Sequence, residues 1–260
     1  MGPRLASIRI YPIKSLDPLE LDSVGLAAGK SLAGDREYAL FDPSGPVLNT
    51  KRLGLALLKI RAEYSEGGRE VRLASDGLHH NFRLPDDLRG MARWLAGRLA
   101  RPVSVRRDLS GGYPDDTLAD GPTIVGTASL AAVASQFDLS LEEVRRRFRA
   151  NLEVEGLEPF GEDLLYGHPD SPRRFRLGTV DLLGTNPCRR CSVPTRDSHG
   201  RSGRGSLQPG SFAEFRAGAA HPRSLFARYP GSFRFAVNTR FAPDQQGRRL
   251  SVGDRLVVPP

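Results

Sequence analysis

The chain has 260 residues, 39% of them hydrophobic, which is enough for one large domain or two ordinary ones without a disulfide or metal staple. No window approaches the roughly 18 apolar residues of a membrane span, and Met1 to Arg4 lead straight into a strand-like segment, so a soluble cytoplasmic protein without a membrane span or signal peptide is expected. The net charge of +8 rests on a surface in which Lys14, Lys30, Lys51 and Lys59 are the only lysines. Arginine forks grip phosphates bidentately, so the anion in view is a nucleic acid or a phosphorylated cofactor.

From residue 5 to about 107 the pattern predicts short strands separated by turns, over 5–11, 36–41, 57–64, 70–74 and 102–107. Asp42-Pro43-Ser44-Gly45 and Glu66-Gly67-Gly68 carry turn chemistry. Residues 86–100 differ, with Leu88, Met91, Leu95 and Leu99 at helical spacing and Trp94 beside them, read as core. The loop 108–121, rich in Gly, Asp and Pro, is taken as the boundary between units 1–108 and 109–260. A strand is expected at 122–125 and a helix at 127–137. Ser140-Leu141-Glu142-Glu143 has capping-box spacing and opens a second helix through Arg149, with Val144 and Phe148 inward and Arg145, Arg146 and Arg147 on a solvated face. Strands follow at 151–155 and 175–183. Residues 196–230 have little to bury and are expected to form a mobile loop or lid, with Gly200-Arg201-Ser202-Gly203-Arg204-Gly205 as its emptiest part. Two strands, 232–237 and 249–258, close the chain, the last broken at Gly253-Asp254.

The most chemically specific run is Asn186-Pro187-Cys188-Arg189-Arg190-Cys191-Ser192-Val193-Pro194-Thr195-Arg196-Asp197, placed in a loop at a strand end. A thiolate is a soft metal ligand and a nucleophile, and adjacent arginines favour its charged form. The alternative is a pair of small apolar side chains packed near a strand end. Two cysteines cannot complete a four-cysteine zinc site, and a dithiol redox site lacks its βαβ context. The five histidines show no metal-binding spacing, and no phosphate loop or dinucleotide fingerprint occurs. Tyr11-Pro12-Ile13-Lys14-Ser15 offers an ammonium and a hydroxyl to an anion, but a lysine after a strand is ordinary. Gly34-Asp35-Arg36 reads equally as a turn with a salt-bridged arginine, and Arg149-Ala150-Asn151 as a helix end capped by asparagine.

Taken together, these runs, with Ala128-Ser129-Leu130, Val237-Asn238-Thr239 and Ser251-Val252-Gly253-Asp254, resemble the MOSC-domain family over nearly the whole chain. More narrowly they are similar to its two-part branch, which contains the mitochondrial amidoxime reducing component and bacterial relatives. The resemblance implies an α+β, mainly β fold, a β-rich N-terminal domain packed on a MOSC β-barrel domain with a few helices. It implies a molybdenum cofactor (Mo-molybdopterin) with Cys191 as the metal ligand and Cys188 only a neighbour. Lys14, Ser15, Arg36, Ser129, Arg149, Asn151, Arg189, Arg190 and Asn238 would hold the pterin and its phosphate. Asp197 joins Cys191 at the catalytic centre, as a proton donor or a structural acceptor. Arg189 and Asn238 depart from the residues common in relatives. The implied reaction is two-electron reduction of N-hydroxylated small molecules (amidoximes, hydroxamic acids, N-hydroxylated bases). Its electrons would come from a separate donor protein of ferredoxin, flavoprotein or cytochrome type, with no nucleic acid as partner. The alternative is sulfur transfer through a Cys191 persulfide.

Overall fold

The structure, a computed structural model, describes residues 2–27, 31–168, 170–201, 207–221 and 223–259. It is α+β and mainly β. An eight-stranded sheet runs, in spatial order, Leu256–Val257, Arg173–Leu177, Val180–Arg189, Arg234–Phe241, Ile124–Gly126, Leu152–Glu155, Arg4–Ile10 and Leu19–Leu21. Ile124–Gly126 and Leu152–Glu155 pair in parallel, as they must when the helices Thr127–Gln136 and Leu141–Phe148 form the crossover between them. Three small antiparallel sheets complete the β structure, built on Tyr38–Phe41, Ser23–Ala27 and Glu70–Ser75 as central strands.

The start of the chain is woven into its second half. Arg4–Ile10 pairs with Leu152–Glu155, and Ser23–Ala27 pairs with Arg249–Ser251. One core therefore joins Leu5, Ile8, Ile10 and Val24 to Ile124, Leu152, Phe175, Leu182 and Leu250. A second core, entirely from residues before the 108–121 loop, packs Met91 and Leu95 of the helix Leu88–Leu99 on Val71, Leu73 and Phe82. Trp94 packs against this core edge-on to Phe82, 6.3 Å between ring centres. The third core is aromatic, with Phe148, Phe160, Phe212 and Phe235.

Several expectations need correction. The strand predicted over 57–64 is split: Leu55–Leu58 is a helical turn that buries Leu57, and only Arg61–Tyr64 is a strand. Apolar residues in unbroken succession fit either state, and the deciding factor is burial against the second core. Residues 175–183 belong to a hairpin, Arg173–Leu177 and Val180–Arg189, turned by Gly178 at φ +56°. The cysteine run is consequently only half a loop, because Cys188 lies inside the second strand. Strand Leu78–Arg83 has no counterpart in the sequence reading because all its residues except Phe82 are exposed. Within 196–230, where a mobile loop is expected, the helix Pro209–Gly218 buries Phe212, Ala213 and Arg216. Most of the emptiest part of that segment, 202–206, lies outside the described residues. Among the described residues no helix is long and apolar enough to cross a membrane.

Candidate functional site

The two longest strands of the large sheet carry one wall of the site. Val180–Arg189 and Arg234–Phe241 pair with register shifts between Gly184 and Asn186 and between Pro187 and Arg189. Such bulges re-aim side chains, and here Asn186, Cys188 and Arg189 all reach one cleft of about 480 Å³. The chain then leaves the strand. Arg190 N–H donates to the Phe233 carbonyl at 2.8 Å, Cys191 follows, and a short turn at Val193–Thr195 closes the rim. The Arg190 guanidinium bonds the Phe148 carbonyl and reaches Cys188 Sγ at 3.1 Å. A cation at that helix C-terminus is favoured by the helix dipole. Cys191 also lines the cleft, half-buried, with no hydrogen bond to its sulfur among the described residues.

The opposite wall comes from the start of the chain. Tyr11 N–H donates to Asp35 Oδ1 at 2.8 Å, and the Tyr11 ring carries Arg149 at 4.0 Å and Arg36 at 5.7 Å from its centre. Ser15, Arg36 and Arg149 all have left-handed backbones, with φ of 74°, 52° and 54°. Strain of this kind in non-glycine residues gathers at functional sites. Arg149 is itself the C-cap of Leu141–Phe148, and that conformation turns its side chain towards the cleft. The cap expected of Asn151 is therefore made by Arg149. Burial pushes the Arg149 guanidinium down and Arg36 adds to this, against a partial offset from Tyr11, so the site favours an incoming anion. Burial also opposes the charge on Arg36, but Asp35 and Asp115 outweigh it.

An acidic strap lies across these cations. Gly112 has φ +70°, and a Cβ there would stand 2.7 Å from the Asp35 carbonyl, so the close approach needs glycine. Beyond it Asp115 Oδ1 pairs with Lys14 Nζ at 2.9 Å, and Lys14 also donates to the Tyr113 carbonyl at 2.7 Å. Asn238 Nδ2 donates to Asp116 Oδ2 at 3.1 Å. Burial pushes the Asp115 carboxyl up, yet Lys14, Arg36 and Lys51 together hold it below its ordinary range. The sequence reading took this stretch only as a boundary loop. Its signal was the Pro114-Asp115-Asp116 cluster between glycines in a basic chain.

Of the residues expected at the site, Ser15, Arg36, Arg149, Arg189, Arg190, Cys191 and Asn238 line the cleft. Lys14 lies just behind, held by the strap. Asn151 is 1% exposed and serves the framework: its amide donates to the Arg9 carbonyl at 3.0 Å and accepts from Thr123 N–H at 3.2 Å. Ser129 does not reach the cleft. It is fully buried, donating to Glu162 at 2.5 Å and accepting from Phe160 N–H at 2.7 Å. Asp197 also stays out of the lining, where Arg201 at 2.8 Å and the His199 amide at 2.9 Å hold it. Hydrogen bonds from Arg201 above all take its carboxyl down to about 2, so near neutral pH it is an acceptor and not a proton donor. Arg147, expected on a solvated face, is buried and lines the cleft. Its spacing from Val144 and Phe148 on the inward face was the overlooked signal. Among the described residues no three His, Cys, Asp or Glu side chains gather as a metal site.

A mainly β fold that gathers two thiols and a ring of guanidiniums in a single cleft has the chemistry to take an anion and a soft metal. The profile of the MOSC N-terminal beta barrel domain matches residues 2–100 and that of the MOSC domain matches 122–257. The chain belongs to the MOSC family. It is 28% identical over 297 aligned positions to the molybdenum cofactor sulfurase of Drosophila mojavensis, covering 99% of this chain and 35% of that protein. With the molybdenum cofactor sulfurase of Drosophila willistoni it shares 25% identity, over 74% of this chain and 27% of that one. The chain thus spans about a third of the length of the curated relatives it matches. Family and relatives together relate the protein to the molybdenum cofactor.

Proposed function

We propose that the cleft binds the molybdenum cofactor and that the protein is an oxidoreductase reducing N-hydroxylated small molecules with electrons from a separate redox protein. The observation that carries this reading is the meeting of Cys191 with Arg36, Arg149 and Arg190 in one cleft of about 480 Å³. The residues present fit such a group. A thiolate suits a soft metal and guanidiniums suit a phosphate, while the buried Asn186 Oδ1 has no partner among the described residues. Cys191 would hold the metal. Arg36, Arg149 and Ser15, with Lys14 once the strap releases it, would take the phosphate. Asn186, Asn238 and Arg190 would orient the ring system. When bound, the group supplies two-electron oxo-transfer chemistry, and the protein contributes orientation, charge and exclusion of water. Asp197 holds the turn that follows it, through the His199 amide and Arg201, and takes no proton-transfer role.

A second reading is favoured by the relatives, both named molybdenum cofactor sulfurases. In it the same cleft holds the cofactor as the object worked on, and Cys191 carries a persulfide. One preparation separates the two. Protein made in a cofactor-competent host is assayed for molybdenum, for reduction of an aromatic amidoxime with a dye donor, and for intact mass. Stoichiometric metal and turnover, both lost in Cys191→Ala, support the reductase. Extra mass of one sulfur atom, removed by reductant and absent from Cys191→Ala, with no turnover, replaces it with the sulfur-transfer reading. Full metal content in Cys191→Ala sinks the ligand assignment of the reductase reading.

A further inference from the structure

A smaller chamber opens off the cleft, and none of the roles above uses it. Ser15, Thr50, Arg147, Arg149 and Val193 border both spaces, so the two are continuous. The chamber holds about 30 Å³. A single water needs roughly 10–15 Å³, so this is room for one small polyatomic group and not for a second ring system.

Its walls are strongly cationic. Arg61, Arg146, Arg147, Arg149 and Arg196 face it, against the single carboxylate of Asp17. That carboxylate is already engaged, by Arg61 at 2.7 Å and by the Ala62 amide at 2.8 Å. Arg146 is paired with Glu142 at 3.2 Å. Arg147 is the telling member. Its side chain is 5% exposed, its Nε donates to Glu143 at 2.6 Å, and its Nη1 is buried with no hydrogen-bond partner. Glu143 does not bond that nitrogen: its carboxylate takes the Arg147 Nε and the hydroxyl and amide of Ser198, the last two at 2.5 and 3.0 Å. Burial raises the Glu143 carboxyl, but Ser198 and Arg147 together hold it low, so it stays charged and fixes Arg147 in place. Arg147 borders the chamber, so an oxygen anion there would lie against a guanidinium that is held in place and short of one acceptor among the described residues.

We infer that the chamber is a second oxyanion subsite, taking one tetrahedral phosphate or sulfate group against Arg147 and Arg196. The inference rests on the cofactor reading of the cleft only for the source of that group. Either it is a second phosphate on the ligand already in the cleft, as in a nucleotide-extended pterin, or it is a free inorganic anion.

The test uses the full chain made in a host lacking the pterin and titrated with inorganic phosphate by calorimetry. The expected result is a binding step that Arg147→Gln and Arg196→Gln each weaken about tenfold, the loss of one charge-assisted hydrogen bond, and that Lys14→Gln leaves in place. Arg196 is exposed, so its variant reads the subsite even if Arg147→Gln loosens the fold by stranding Glu143. Phosphate binding that Lys14→Gln removes altogether, or that neither arginine variant alters, overturns the inference. A second arm compares the pterin phosphate with its dinucleotide form. A preference for the dinucleotide that disappears in Arg147→Gln assigns the group to the same ligand; equal affinities with the inorganic step intact assign it to a free anion. A chain with the arginine-dependent step but no molybdenum from a competent host would remove the cofactor reading and leave the subsite standing.

Discussion

Replacing Asp115 by Asn should tighten the binding of anions to this protein. Asp115 and Lys14 are 2.9 Å apart, with the lysine side chain 7% exposed and the carboxylate 58% exposed. Two unit charges about 4 Å apart attract by roughly 4 kcal/mol in a surroundings of intermediate polarity. Solvent on the Asp115 side screens much of that, and a half-exposed pair retains about 1–2 kcal/mol. An incoming phosphate has to take Lys14 away from Asp115, so the variant returns this amount to the ligand. At about 1.4 kcal/mol per decade, the gain is roughly five- to thirty-fold in affinity. Titration calorimetry with inorganic phosphate at low salt reads it directly. Limited proteolysis gives a second readout, since a strap that has lost its anchor should be cut faster between Gly111 and Gly121. Unchanged or weaker phosphate binding in Asp115→Asn would refute the reasoning and make Asp115 part of the ligand's cradle instead of its rival.

On the proposed reading, in which Cys191 holds the metal, Cys188→Ala should retain most of the molybdenum of the unaltered protein, measured by elemental analysis, because Cys188 lies within the strand under Arg190 and has no ligand role. Burial, reinforced by Asp163, pushes the Glu162 carboxyl up to about 7. The folded chain then keeps a proton that the unfolded chain releases near 4.3, so stability falls as pH rises from there to about 7, by about 4 kcal/mol at most. Glu162→Gln should flatten that fall in urea midpoints taken from acid to neutral pH, and a decline of the same size in the variant would exclude Glu162 as its source. Ser140→Ala removes the hydroxyl that accepts the Glu143 amide at 3.1 Å and should cost about 1 kcal/mol in the same unfolding assay.

What the sequence made legible was local, and what it hid was decided by partners far along the chain. Ser140 caps its helix as its spacing implied, but the reciprocal half of the box is absent because Glu143 bonds Ser198, 55 residues away. That bond is also what turns Arg147 from one of three similar arginines into a buried cation facing two cavities. Their partners do not separate Arg145, Arg146 and Arg147, since each has a glutamate within reach; what sets Arg147 apart is its place on the inward face with Val144 and Phe148. Lys14 presents the same problem. Its role depends on Asp115, 101 residues on, in a stretch whose glycines and proline announce a loop but not what the loop covers. Ser129 failed in the opposite direction: a serine near a helix N-terminus suits an anion site, yet here a buried Glu162 takes its hydroxyl. The cysteines stood out in the sequence because their chemistry is intrinsic to the residue type. The spacing of three alone suggested equivalence; the family resemblance set Cys191 apart, and the structure adds that the strand ends between the two. Both line the cleft, but Cys188 is fixed in the sheet under the Arg190 guanidinium, while Cys191 lies past the last ladder pairing at Arg189 with no hydrogen bond to its sulfur among the described residues.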